Sequence, residues 1–271
     1  MKLNRITTCA AFLLASIASA QDIQPLLSCD QSTWRVNGLE TYCRMVEIPT
    51  DFAGSLNVKS GNGAITMRGW DQSGVLVRAK IQTAADSVSD AMAVADRIAI
   101  TVAGDQVKAS GPQSGITPNW SVSWEIFVPH SADLTLTAGN GAIAIEDVSG
   151  NIQFGVGNGA VSLTNLGGQV QGTAGNGAVT IMLGGDHWDG AGLNVKTGNG
   201  AISIHVPQGY SAHFDAATTV GTISTNYPVH VSRGKWGILN LGGSLSFDAG
   251  SGGAPIRVST TVGAIRIEAE L

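Results

Sequence analysis

The chain has 271 residues, a formal net charge of −5 and only 6% aromatic residues. That acidic balance excludes nucleic acid and anionic lipid as main partners. With 36 glycines, the composition favours tight backbone turns over a large aromatic core.

Residues 1–20 read as a signal peptide. Lys2 and Arg5 supply the positive start, Ala10 to Ile17 a short apolar stretch, and Ala18-Ser19-Ala20 a small-residue cleavage site. Cys9 precedes the apolar run and so is not placed as a lipid-anchor cysteine. Without Lys2 and Arg5 there are 13 basic and 20 acidic residues, a net charge of −7. No later stretch reaches the ~18 apolar residues of a transmembrane helix. The expected location is outside the cytoplasm, in the periplasm or at the cell surface of a bacterium. Residues 21–53 read as an N-terminal cap. Its Cys29 and Cys43 are expected to form one disulfide, since an exported chain meets an oxidising environment. A zinc site needs more ligands than this pair supplies.

The repeat domain is expected to span 54–271. Leu56 and Val58 alternate with polar residues, the turn Gly61-Asn62-Gly63-Ala64 follows, and then Ile65 and Met67. Val75, Val77, Ala79 and Ile81 alternate again, the period of a strand. Ala85, Val88, Met92, Ala95 and Ile98 fall at helical spacing, which predicts one short helix near 86–97 with Asp86 as its N-cap. Residues 98–102 and 106–109 read as a hairpin around Gly104-Asp105. Trp120, Val122, Trp124, Ile126 and Val128 make the strongest strand, stopped by Pro129.

From Leu134 the repeat is clean. The phrase Gly-Asn-Gly-Ala recurs with its asparagine at Asn140, Asn158, Asn176 and Asn199, in steps of 18, 18 and 23 residues. Two worn copies, Thr219–Ile223 and Thr261–Ile265, replace the asparagine with Val220 and Val262. A fixed period near 20 residues means one small unit stacked many times. The expected fold is all-β, a parallel β-solenoid with rungs of roughly 18–23 residues. Asn-Gly is also a strong hairpin signal, so stacked antiparallel hairpins pairing Val156 with Val161 are the alternative. The parallel form is preferred because Val148 and Leu166 repeat in register at the other corner. Asn62, Asn140, Asn158, Asn176 and Asn199 would then form a column about 4.8 Å apart, with Val220 beyond Asn199. After Met182 the units loosen into bulges at 184–192 and 227–243. The alternating charges of the last strand, Arg266 to Glu270, blunt an edge.

The export signal, the cysteine pair and the Asn-Gly repeats recur together in one family. So do Trp120–Pro129, Trp-Ser-Val-Ser-Trp-Glu-Ile-Phe-Val-Pro, and the closing Gly252-Gly253-Ala254-Pro255-Ile256-Arg257-Val258-Ser259-Thr260. With these features the mature chain resembles the bacterial putative-adhesin family of β-strand-repeat envelope proteins, a domain of unknown function. The resemblance implies adhesion and brings no catalytic residues with it. That family's repeats read Asn-Gly-Gly, whereas Ala64, Ala142, Ala160, Ala178 and Ala201 stand third here.

Candidate chemistry is sparse. The asparagine column reads as a turn ladder, and sugar binding along it is the sharper alternative. Asp186, His187, Trp188 and Asp189 form the most polar and aromatic cluster. It reads as a solvated loop with Trp188 packed inward, or as a low-grade surface site for a sugar or metal ion. Four adjacent loop residues rarely supply three convergent ligands. No His-Glu-x-x-His, Gly-x-Ser-x-Gly or phosphate loop occurs. No catalytic residue, metal or cofactor is therefore expected. The expected role is a non-catalytic envelope module for binding, adhesion or structure, with an envelope glycan or another envelope protein as partner. One alternative is a polysaccharide-active enzyme drawing on Asp147, Asp186, Asp189, Asp215, Arg233 and Lys235. The other is a self-assembling scaffold.

Overall fold

The computed structural model describes residues 27–30, 36, 38–113, 119–229, 232–233 and 242–270. The expected signal peptide lies outside the described residues. In chain order the elements begin with β1 (Glu40–Thr50), β2 (Ser55–Asn62), β3 (Ile65–Trp70), β4 (Val75–Ala85) and α1 (Val88–Asp96). Next come β5 (Ala99–Ala103), β6 (Gln106–Ser110), β7 (Trp120–Pro129), β8 (Asp133–Asn140), β9 (Ile143–Glu146) and β10 (Ser149–Asn158). They continue as β11 (Val161–Thr164), β12 (Gly167–Asn176), β13 (Val179–Met182), β14 (Gly192–Asn199), β15 (Ile202–Val206) and β16 (Ala212–Val220). The last are β17 (Ile223–Thr225), β18 (Ser232–Arg233), β19 (Gly243–Ala249), β20 (Pro255–Val262) and β21 (Ile265–Ala269).

The solenoid expectation is overturned. The strands form two large mixed sheets instead of one closed coil. One has ten strands in the order β1-β4-β7-β3-β9-β11-β13-β15-β21-β17. The other has eleven, in the order β18-β19-β16-β20-β14-β12-β10-β8-β2-β6-β5. Antiparallel pairs lie toward the ends, at β1–β4, β4–β7, β5–β6, β16–β19 and β18–β19. The physical reason lies in what periodicity encodes. Alternation at 75–81 and 120–128 specifies strands with a buried face and leaves their direction open. The stacked-hairpin alternative also fails. Val156 pairs in parallel with Ala138 and Ala174, while β10 and β11 lie in different sheets.

Chain order is likewise a poor guide near the C-terminus. β20 lies between β14 and β16, so Asn199 stands opposite Val262, and Val262 opposite Val220. The expectation that Val220 flanks Asn199 is corrected accordingly.

The two sheets share one core. On the ten-stranded sheet Ile65, Ile143, Val161, Val179, Ile202 and Ile265 stand opposite one another in sequence, all buried. Each such side chain contributes about 1.5–3 kcal/mol by leaving water. On the eleven-stranded sheet the corresponding row includes Leu136, Phe154, Gly172 and Val195. The Phe154 ring fills the place of a side chain at Gly172, where a Cβ would lie 1.9 Å from Cζ.

The Asn-Gly turns carry the chain from one sheet to the other, and their backbones stack. Gly159 N–H donates to the Asn176 carbonyl at 2.9 Å. A Cβ on Gly159 would sit 2.2 Å from the Gly141 carbonyl oxygen, so close backbone approach demands glycine there.

The N-terminal segment lies at one edge of the ten-stranded sheet. Cys29 and Cys43 are joined by a disulfide across a sequence separation of 14. Closing a loop of that size is worth about 3 kcal/mol. Leu27 covers a buried ion pair between Arg78 and Glu125, donating its N–H to Glu125 at 3.3 Å. Helix α1 packs Ala91 and Ala95 inward, while Val88 and Met92 of the predicted apolar set are exposed. Its N-cap is Ser87, whose side chain accepts from Asp90 N–H, and not Asp86. Among the described residues no helix is long and apolar enough to cross a membrane.

Candidate functional site

Alternation along each strand of the eleven-stranded sheet sends every second side chain outward. Because the strands pair in register, these side chains form rows across the sheet. One row runs Asn57, Thr135, Gln153, Gln171, Asn194, Arg257, Asp215 and Ser246, each opposite the next. The neighbouring row runs Lys59, Thr137, Gly155, Thr173, Lys196, Ser259, Ala217 and Ser244 by the same pairings. The spacing within each row is about 4.8 Å. From β8 to β12 the side chains of these two rows carry amides and hydroxyls only.

Charge stands at both ends of the face: Lys59 lies opposite Lys108 at one, and at the β14–β20–β16–β19 end charges of both signs surround a shallow concavity of about 370 Å³. Asn194, Lys196, Asp215, Ser246, Arg257 and Ser259 are among its lining residues. Asp215 is its organising group. Its carboxylate meets Arg257 Nε at 3.3 Å, accepts the Ser246 hydroxyl at 2.8 Å, and lies 3.3 Å from His213 Nε2. The other imidazole nitrogen, Nδ1, is 2.7 Å from Asp248. The hydrogen bond to Asp248 is the main cause that raises the His213 pKa; burial opposes it, and the charges of Asp215 and Asp248 add to it.

Ser246, His213 and Asp248 thus stand in the contact order of a hydrolytic triad. The proton geometry points elsewhere. The Ser246 hydroxyl is 2.8 Å from Asp215 and 3.3 Å from His213. Two carboxylates favour the imidazolium, which donates from both nitrogens and has no lone pair to take the serine proton. The contacts hold side chains in place and leave Lys196 exposed, without an ion pair to any described residue.

The residues singled out from sequence fall elsewhere. Asn140 donates to Asn62 at 3.0 Å, Asn158 to Asn140 at 3.0 Å, Asn176 to Asn158 at 2.8 Å and Asn199 to Asn176 at 2.9 Å. A second, shorter ladder lies at the opposite corner, where Asn165 donates to Asp147 at 2.6 Å. Both of those residues have positive φ, 50° and 58°.

Asp186, His187, Trp188 and Asp189 do not converge. Asp186 and His187 form an exposed pair at 2.6 Å, which lowers the Asp186 pKa. Trp188 is buried, with its indole N–H donating to the Gly168 carbonyl at 3.0 Å, so it offers no stacking platform. Asp189 contributes its backbone carbonyl to Gly168 N–H at 2.6 Å. Tyr210 nearby is pushed up to about 12, by burial first and then by the Asp186 charge. Among the described residues no three His, Cys, Asp or Glu side chains are grouped to hold a metal ion.

Sequence reading missed the Asp215 cluster except for Asp215 itself. The available signal was faint: His213-x-Asp215 and Ser246-x-Asp248 each place two polar groups on one face of a strand. Only the antiparallel register, His213 opposite Asp248 and Asp215 opposite Ser246, unites them.

No protein-family model and no curated protein matches the chain. Among solved structures, it is similar to a putative cell adhesion protein from Clostridium sporogenes, at 16% identity and a TM-score of 0.46, covering 86% of this chain and 100% of that one. It is similar to a putative adhesin from Parabacteroides distasonis at 9% identity and a TM-score of 0.37, covering 84% and 97%. A putative lipid binding protein from the same organism is similar at 11% identity and a TM-score of 0.24, also covering 84% and 97%. These names describe those proteins.

Proposed function

We propose that this chain is an exported, non-catalytic adhesin-type module that binds an envelope glycan through the outer face of its eleven-stranded sheet. Residues 1–20 direct export in this reading. Residues 21–53 cap the fold, and 54–271 carry the binding face. The observation that carries the reading is the uncharged row Thr135, Gln153, Gln171 and Asn194. Amide and hydroxyl groups at a fixed ~4.8 Å step suit a polyhydroxylated chain, because they offer donors and acceptors without the desolvation cost of charge. Two strand steps, about 9.6 Å, match the length of an extended disaccharide. The family resemblance in sequence implies adhesion.

A panel of immobilised bacterial polysaccharides tests it. Wild-type protein is expected to bind at least one. The double substitution Gln153→Ala with Gln171→Ala is expected to weaken that binding about tenfold, as two lost hydrogen bonds would. Thr180→Ala, on the outer face of the other sheet, is expected to leave it unchanged. Loss through Thr180→Ala with none through the glutamines would overturn the assignment of the face.

A further inference from the structure

We infer that the concavity beside Asp215 takes an acidic oligosaccharide, its anionic group held by Lys196 and Arg257. This rests on the glycan-binding reading and deepens it. The chain as a whole is acidic. Yet at this end of the neutral track, two cations stand on adjacent strands. Asn194 is opposite Arg257 and Lys196 opposite Ser259, so the cations are offset by one strand and two residues. Strand geometry puts their Cα atoms about 8 Å apart, within reach of one anion for two long side chains.

Asp215 does not cancel both charges. It meets Arg257 at Nε, and the Arg257 side chain remains 55% exposed, so its guanidinium keeps donors accessible to a ligand. Its remaining contacts go to Ser246 and His213. Asp248 is engaged by His213. Lys196 is therefore the uncompensated cation of the concavity. Asn194, between the two cations in register, supplies donors and an acceptor for a sugar hydroxyl. A chain lying across β8, β10 and β12 would meet amides and hydroxyls and end its track on the cations.

Calorimetry with three hexasaccharides tests the inference: oligogalacturonate, a sulfated maltohexaose and neutral maltohexaose. At low salt one or both acidic ligands are expected to bind tighter than the neutral one, and the gap is expected to close at high salt. Which of the two binds tighter identifies carboxylate or sulfate as the group held. Lys196→Gln is expected to weaken acidic binding about fivefold, the upper end for an exposed ion pair, and to leave neutral binding unchanged. Lys196 is exposed and unbridged, so this substitution spares the fold. Arg257→Gln is the second variant, with circular dichroism as its folding control. Equal binding of acidic and neutral ligands, or acidic binding indifferent to both substitutions, would overturn the acidic assignment while the broader glycan reading stood. Binding of polysaccharides on the panel with none of the three hexasaccharides bound would do the same. Failure on the panel as well would remove both.

Discussion

Substituting Asn158 by alanine should cost more stability than the same change at Asn199. Asn158 is central in its column: it donates to Asn140 at 3.0 Å and accepts from Asn176 at 2.8 Å. Asn199 donates to Asn176 at 2.9 Å and faces Val262, which offers no amide. One change removes two hydrogen bonds and the other removes one. These amides are exposed, so water takes up the freed groups and the penalty for a buried orphan does not apply. At about 0.5–1 kcal/mol per bond, Asn158→Ala should cost about 1–2 kcal/mol and Asn199→Ala about half that. Neither asparagine has positive φ, so alanine adds no backbone strain at either site. Val262→Asn should extend the column at no net cost, because an exposed valine gains an amide neighbour. Urea melts of the three variants measure this. Equal losses, or a larger loss at Asn199, would show that each side chain serves its own turn and that the column carries no energy.

Two further substitutions follow from the geometry. Gly172→Ala places a methyl on the Phe154 ring and should destabilise by about 1–3 kcal/mol; combining it with Phe154→Leu should recover part of the loss in a thermal melt. His213 stabilises the β16–β19 pair through its raised pKa. That contribution is complete below the unfolded imidazole value of about 6.5 and is lost as pH rises through the folded value. His213→Gln should accordingly flatten stability against pH from about pH 6 upward, and an unchanged profile would refute the linkage.

The 18-residue step of the asparagines was legible because each Gly-Asn-Gly must stack on its predecessor. A Cβ at Gly159 or Gly177 would strike the carbonyl one strand away, and that constraint leaves a visible mark. Direction and order were less legible. The alternation of Val75 to Ile81 fixes which face is buried, but the antiparallel pairing of β4 with β7 depends on the long excursion through α1 and the β5–β6 hairpin. Asn199 and Val262 are 63 residues apart in sequence, and no local pattern announces that β20 slips in beside β14. Trp188 read as packed inward and is buried, but the carbonyl of Gly168 that its indole meets was not legible, since a single tryptophan between two aspartates has no period. The Asp215 cluster was hidden for the same reason as β20: its parts lie on strands whose register is set by the whole sheet.

The asparagine column also bears on the chemical lifetime of the chain. Asn-Gly is prone to deamidation, because the glycine backbone nitrogen attacks the side-chain carbonyl carbon to give a cyclic imide. This chain carries six such pairs, Asn37-Gly38 and the five of the column at Asn62, Asn140, Asn158, Asn176 and Asn199. In the column each glycine nitrogen is occupied: those of Gly63, Gly141, Gly159, Gly177 and Gly200 all donate to a carbonyl on the next strand at 2.9 Å. The attacking atom is tied down and the target amide is held in its column, so the reaction waits on local opening. One converted residue would set a carboxylate against the carbonyl oxygen of its neighbour and loosen the next pair in turn. Ageing should therefore be slow in the intact fold and should spread along the column once it begins, a course that intact-mass measurements before and after repeated thermal cycling would follow directly.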